Sequence, residues 1–392
     1  MEHTVIVGMA RTPFGKFGGA LKNCSAVELG GIAIREAVRR AGVSPELIEY
    51  VYMGQVLSAG CGQIPARQAA RKAGLPWETV ALNLNKVCSS GMSAIALGDM
   101  QIRLGQAGLV VAGGMESMSN APYALPQQRW GARMGNAGAV DLMLYDGLWC
   151  AFYDRHMAIH GSEVSAEYGV SRKAQDEWAL RSQQRAGDAM KNGLLDEELT
   201  PVEIREKNNV RLIQCDEAPR PDTTMEALAK LSPIYMENGT VTAGNAPGVN
   251  DGAAALVLMA ESRAREMGLP VLATILGHEE VSQEAKYIAT VPGLAAQKLL
   301  TKHALTIDDV HVIEANEAFA AVTLISAAIG GWNMDIVNVD GGAIALGHPL
   351  GASGARIVMH AISALRRRGG GLGIACICSG AAQGNAMLLK VE

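Results

Sequence analysis

Aromatic residues are scarce in this chain. Four Phe, five Trp and eight Tyr make up 4% of its 392 residues. Interlocking rings therefore cannot dominate the core. The interior must come from Ala, Val, Ile, Leu and Met, with backbones packed closely. A basic excess is absent too: 34 Lys and Arg stand against 39 Asp and Glu, a net charge of −5. That balance argues against a nucleic-acid partner. The run Arg366-Arg367-Arg368 before Gly369 reads as charge complementing a helix carboxyl end. Long hydrophobic runs are missing, so no membrane span is expected. The opening MEHTVIVGMARTPFG reads as strand and turn, not as a basic-then-apolar leader. Cysteines number seven, at 24, 61, 88, 150, 215, 376 and 378. Their odd count and irregular spacing exclude a disulfide framework, and reduced thiols in the cytoplasm are expected. No second pair beside Cys376 and Cys378 gives ligand spacing, so no metal site is expected.

What is present is repetition. Strand-like and helix-like segments alternate, which predicts an α/β fold with a mostly parallel sheet. The first half reads strand Val5–Gly8, helix Ala26–Ala41, strand Tyr50–Gln55, helix Ile64–Ala73 and strand Thr79–Asn83, then KVCSSGMSAIALG, then strand Leu109–Gly113. The second half repeats that order with strand Val271–Gly277, helix Gly293–His303 and strand Val312–Glu314. Strand Ile336–Val339 then leads to LGHPLGASGARIV, followed by strands Leu372–Ile377 and Ala386–Val391. A constant offset of 260 residues pairs Cys88 with His348, Gly91 with Gly351 and Ser93 with Ser353. Three units follow: residues 1–118 with 250–269, an insertion at 119–249, and residues 270–392. One clear helix in the insertion starts at Ser171 and stops at Gly193.

The duplication places a cysteine and a histidine at equivalent helix entries. Facing each other, they would make a nucleophile and its base. A helix N-terminus and a nearby imidazole are expected to lower the pKa of Cys88. Pro349 suits a first helical position. Cys378 stands near a strand end before SGAAQG, where a sharp turn would free backbone N–H groups for an oxyanion. Asn316, in EANEAF, follows a strand; its amide would fix a water or a carbonyl oxygen, or cap a turn.

With these residues in view, the chain resembles the thiolases, the family of acetyl-CoA acetyltransferases and 3-ketoacyl-CoA thiolases. The resemblance spans essentially the whole chain and rests on VCSSGMSAI, VVAGGMESMSNAP, VTAGNAPGVNDGAAA, EANEAFA and NVDGGAIALGHPLGASGAR. It implies two similar βαβαβαββ halves in a layered α-β-α-β-α core with an inserted loop domain. By this resemblance Cys88 carries the acyl group and His348 activates it. Cys378 handles the α-proton, and Asn316 positions a water beside His348. Backbone N–H groups of Cys88 and Gly380 would form a second oxyanion hole. Coenzyme A contacts would fall to Leu148, His156, Met157, Arg220, Leu231, Ala243, Pro247 and Phe319. The implied partners are acetyl-CoA, CoA and short-chain 3-ketoacyl-CoA, with no tightly bound cofactor. A homotetramer, a dimer of dimers built near Pro126–Val140, is also implied.

Some positions depart from the family pattern. Pro247 stands where Ser is usual, Asp340 where Asn is typical, and Ile288 where short-chain members often carry Met. The turn SGAAQG replaces a glycine-rich one. Two alternatives stay open: a thiolase of broader chain length in fatty-acid β-oxidation, and a silent acyl-CoA-binding scaffold.

Overall fold

A computed structural model describes residues 2–206 and 209–392. Among these residues nine strands form one hydrogen-bonded path, and the short strand Gly15–Lys16 pairs off it. In chain order they are β1 Thr4–Arg11, β2 Tyr50–Gly54, β3 Val80–Leu84, β4 Leu109–Ser117, β5 Asn250–Ala260, β6 Ala273–Ser282, β7 Val310–Ala315, β8 Gly371–Ser379 and β9 Gln383–Val391. Across the sheet they run β3-β2-β4-β5-β1-β6-β9-β8-β7. Read outward from the centre, β1-β5-β4-β2 is matched by β6-β9-β8-β7. The pairing senses match as well. β2 runs parallel to β4, as β7 does to β8, while the remaining matched neighbours are antiparallel. The duplication is therefore real in three dimensions. Three residue pairs, Thr4↔Ile275, Val5↔Thr274 and Ile6↔Ala273, join the halves.

Two expectations need correction. The sheet is mixed rather than mostly parallel. The cause lies in β5 and β9: one returns after the insertion and the other by a hairpin, and both enter antiparallel. Ile336–Val339 is not a strand; only Val337 bridges to Ile313. Asn338 takes over the pairing. It adopts a φ of 45°, its Oδ1 accepts the Ala315 N–H at 2.8 Å, and its Nδ2 donates to the Ala315 carbonyl at 2.9 Å. One side chain thus supplies what a fifth strand would have supplied.

Helices fill both faces of each half. α1 Ala26–Ala41 and α2 Pro65–Ala73 cover the outside of the first. α1 begins with a Ser25–Glu28 capping box and ends at Gly42 in the left-handed region. α3 Ser90–Arg103 lies centrally; in the insertion come α4 Met157–Glu167 and α5 Arg172–Lys191, the latter capped by Ser171. α6 Val291–Lys302 and α7 Ala320–Gly330 cover the outside of the second half, and α4 and α5 pack on α7. α8 Leu350–Arg367 lies beside α3.

Alternation along the strands sorts the core into layers. Val111 and Val257 join the outer cluster under α1. Ala112 and Leu256 join the central cluster with Ile95 and Ile357. Ile374 and Leu388 join the other outer cluster with Leu299. The layers thus read α-β-α-β-α. Where α3 crosses α8, only glycine fits. A Cβ on Gly91 would lie 2.8 Å from the Gly351 carbonyl oxygen, and one on Gly354 would lie 2.5 Å from the Met92 nitrogen. No helix among the described residues is long and apolar enough to cross a membrane.

Candidate active site

Cys88 and His348 hold the same place before their helices. Each directly precedes the N-cap residue, Ser89 of α3 and Pro349 of α8. Pro349 thus stands one residue earlier than expected. Before Cys88, Val87 adopts a φ of 47°. For a β-branched residue that conformation costs on the order of 1–3 kcal/mol. Ser90 secures it: its hydroxyl accepts the Lys86 N–H at 2.8 Å and donates to the Val87 carbonyl at 2.6 Å. The tight bend carries Cys88 into the wall of a cavity of about 400 Å³ that His348 also lines.

The hydrogen bonds assign the tautomer of His348. Its Nδ1 lies 2.6 Å from the Ser353 hydroxyl. That hydroxyl sits 2.9 Å from the Pro349 carbonyl, which can only accept. Ser353 therefore donates to Pro349 and accepts from Nδ1–H. Nε2 keeps its lone pair and has no hydrogen-bond partner among the described residues. Burial, assisted by Arg356, pushes the His348 pKa down to about 3, so the ring is neutral and able to accept a proton. Its backbone N–H donates to Asn250 Oδ1 at 2.9 Å.

The thiol is not pre-ionised. Burial pushes the Cys88 pKa up to about 12, against the pull of the backbone N–H groups of Cys88 and Gly380, and Glu116 adds to the rise. The expected lowering does not occur, because the neighbouring imidazole is neutral and no cation offsets the loss of water. Those two N–H groups are the pair that the family resemblance names as an oxyanion hole. Cys378 is the penultimate residue of β8, two residues before the turn Gly380-Ala381-Ala382. Its pKa is raised by burial and by the closeness of Cys88. Ala381 and Ala382 have φ of 63° and 49°, conformations that glycine adopts more readily. The Ser379 hydroxyl donates to the Lys86 carbonyl and ties this turn to the Cys88 bend. Asn316 is fully buried just past β7; its N–H donates to the Cys376 carbonyl at 2.9 Å. Neither atom of its side-chain amide has a partner among the described residues. Asn316 and Cys378 are not among the lining residues, but Cys378 shares a buried cluster with Met157, Ile288 and Phe319, which are.

Leu148, His156, Met157, Ala243, Pro247 and Phe319 line the cavity, with Ile288 among them. His156 caps α4 by accepting the Ala158 N–H at Nδ1, which leaves Nε2–H as its donor. Arg220 and Leu231 do not line it. They border a smaller pocket of about 260 Å³ that includes Gly244. The chain step from Ala243 to Gly244 connects the two.

Sequence reasoning missed four participants. Tyr235 stacks on His156 at 3.8 Å with planes 10° apart, and nothing in its local sequence marks it. Asn250 and Ser353 orient His348; the repeat pairs Ser353 with Ser93, which was the available signal. Glu116 is fully buried in the first half beneath α8, and its place in the quoted block GGMES was the hint.

Two duplicated halves with a thiol and a neutral imidazole at matching helix entries define a nucleophile–base site on a layered α/β scaffold. The N-terminal thiolase domain model matches residues 4–262, and the C-terminal thiolase domain model matches residues 269–391. The chain belongs to the thiolase family. A probable acetyl-CoA acetyltransferase of Mycolicibacterium smegmatis is 46% identical over 388 residues, 98% of this chain and 100% of that protein. An acetyl-CoA acetyltransferase of Cupriavidus necator is 46% identical over 391 residues, 100% of both chains. The crystal structure of the Bacillus anthracis acetyl-CoA acetyltransferase superposes with a TM-score of 0.98 at 40% identity, covering 100% of this chain and 99% of that one.

Proposed function

We propose that this protein is an acetyl-CoA C-acetyltransferase. It condenses two acetyl-CoA to acetoacetyl-CoA and CoA by a ping-pong route, and runs the reverse thiolysis. The observation that carries the reading is the unpartnered Nε2 of neutral His348 lining one apolar cavity with the neutral thiol of Cys88. Cys88 attacks the thioester while Nε2 takes its proton. The thiolate therefore exists only along the reaction path, which suits a thiol of high pKa. The carbonyl oxygen gains charge beside the N–H groups of Cys88 and Gly380. Losing one such donor typically costs about 3–4 kcal/mol.

CoA leaves with the proton of Cys378, so the acyl-enzyme carries an imidazolium and a second thiolate. The thiolate of Cys378 removes an α-proton from the next acetyl-CoA. A water held by Asn316, with the His348 imidazolium, stabilises the enolate oxygen. The carbanion attacks acyl-Cys88, the Cys88 sulfur leaves, and it recovers its proton from His348. Pantetheine lies among Leu148, Met157, Ala243, Pro247 and Phe319 with His156 donating. The nucleotide end reaches the pocket of Arg220 and Leu231. No tightly bound cofactor takes part.

The insertion, 119–249, serves CoA binding and assembly. Trp130 and Met134, 82% and 98% exposed in the single chain, support a homotetramer formed through residues 126–140. A cytoplasmic location fits the seven free thiols.

The test is intact-protein mass after mixing with acetyl-CoA, followed by peptide mapping. An added acetyl group on Cys88 is expected, absent in Cys88→Ala. Cys378→Ala is expected to form the acetyl adduct with chemical assistance from the bulk proton donors, yet to make no acetoacetyl-CoA. CoA bound with no adduct in the wild-type chain would move the assignment to a silent scaffold.

A further inference from the structure

Glu116 carries a buried carboxylate that the chemistry above does not use. It stands one residue from the end of β4 and is fully buried. Every protein group it holds is a backbone amide. Oε2 accepts the Val56 N–H at 3.0 Å and the Gly351 N–H at 2.9 Å; Oε1 accepts the Leu57 N–H at 3.0 Å. It forms no ion pair among the described residues. A buried carboxylate without an ion pair is costly, and its three amide partners have to offset the lost water. Its three donors come from two places. Val56 and Leu57 follow β2 in the half that carries Cys88. Gly351 lies in the first turn of α8, three residues after His348, where a free N–H welcomes an anion. The helices cross backbone to backbone at Gly91 and Gly351, so a small shift of α8 changes the sulfur–imidazole separation directly.

We infer that Glu116 is a positioning residue: its carboxylate clasps the entry of α8 to the first half and so sets the place of His348 against Cys88. The inference rests on the acyl-transfer reading. Three amide donors need an acceptor-only group, and a glutamine would turn an NH2 toward one of them. Burial, with Asp251 adding to it, raises the Glu116 pKa to about 7 while the three amides oppose that rise, so the carboxylate form prevails above that pH.

The experiment compares full-length wild type with E116Q and E116D in thiolysis of acetoacetyl-CoA, with acetylation of Cys88 followed by mass and thermal melting run in parallel. Misplacement of reacting groups by about 1 Å costs on the order of 100-fold. E116Q is expected to lose about that much in kcat and in the rate of Cys88 acetylation, with KM for CoA within about twofold. E116D keeps the charge but reaches fewer amides, so its kcat should lie between the two. Wild-type kcat in a folded E116Q would overturn the inference, as would a rise in KM that follows lost stability at unchanged kcat. Should E116Q not fold, E116D decides alone: about tenfold lower kcat at unchanged KM supports the clasp, and wild-type kcat sinks it. A wild-type chain that never acetylates Cys88 would instead overturn the acyl-transfer reading itself.

Discussion

Two buried histidines at α8 are held in opposite charge states. His348 stands just before the helix and His360 lies within it. His348 meets one hydroxyl and an apolar cavity, and its pKa falls to about 3. His360 faces a carboxylate on each ring nitrogen. Nδ1 lies 2.5 Å from Glu198 Oε1, Nε2 lies 3.1 Å from Asp340 Oδ2, and Glu314 Oε1 is 3.9 Å away. A neutral imidazole has one N–H and would leave one lone pair facing an anion, so His360 is an imidazolium. Against the pull of burial, Glu198, Glu314 and Asp340 push its pKa up to about 10. The charges close around it: Arg11 pairs with Glu198 and Asp216, Arg356 with Glu314, and Arg367 with Asp340. The carboxylate of Asp340, where the family typically has Asn, thus meets two cations. Burial alone does not set a charge state; the groups that replace water do. No carboxylate pairs with the His348 ring among the described residues, whereas the ion cluster gathers three around His360.

Breaking the first histidine should have the largest effect on activity. His348→Ala is expected to lower kcat for thiolysis by about 10⁴-fold with little change in melting temperature. A loss under tenfold would remove His348 as the base. His360→Leu should break the second with the reverse signature. It leaves Glu198 and Asp340 without their shared cation and costs about 3–5 kcal/mol by chemical denaturation.

The pH dependence sharpens the contrast. The folded pKa of His360 lies above its unfolded value of about 6.5. Its stabilisation is therefore complete below about pH 6.5 and is lost as pH rises through about 10. His348 is shifted the other way. Its contribution is complete above about pH 6.5 and lost as pH falls toward about 3. Melting curves between pH 7 and 10 should accordingly slope less in His360→Leu than in wild type; equal slopes would contradict the imidazolium. The smallest effect is expected from Ser353→Ala. It removes the acceptor for Nδ1–H and frees the ring to change tautomer, for about a tenfold loss in kcat at unchanged KM.

Much of this was legible in the chain. The 260-residue offset held to the residue, because Ser89 and Pro349 turned out to be equivalent N-caps. Helix and strand positions followed from apolar period and turn residues, which are local properties. Ile336–Val339 was misread because its apolar pattern matches a strand, while the side chain of Asn338 replaces the ladder. The direction of β5 and β9 was hidden, since strand sense depends on how distant segments return. Cys88 and His348 were found by the repeat that sets them at equivalent helix entries. Tyr235 was not, because its stacking partner lies far along the chain.

The order of elements, the duplication and the identity of the paired cysteine and histidine were determined by the sequence itself, through periodicity and repeated turn chemistry. Protonation was decided by the tertiary structure. The thiol at about 12 and the imidazole at about 3 owe those values to lost water, and the imidazolium at about 10 owes its value to Glu198, Glu314 and Asp340. Desolvation and Coulomb energy depend on distance in space. These groups come together only when the insertion, β7 and α8 close on one another.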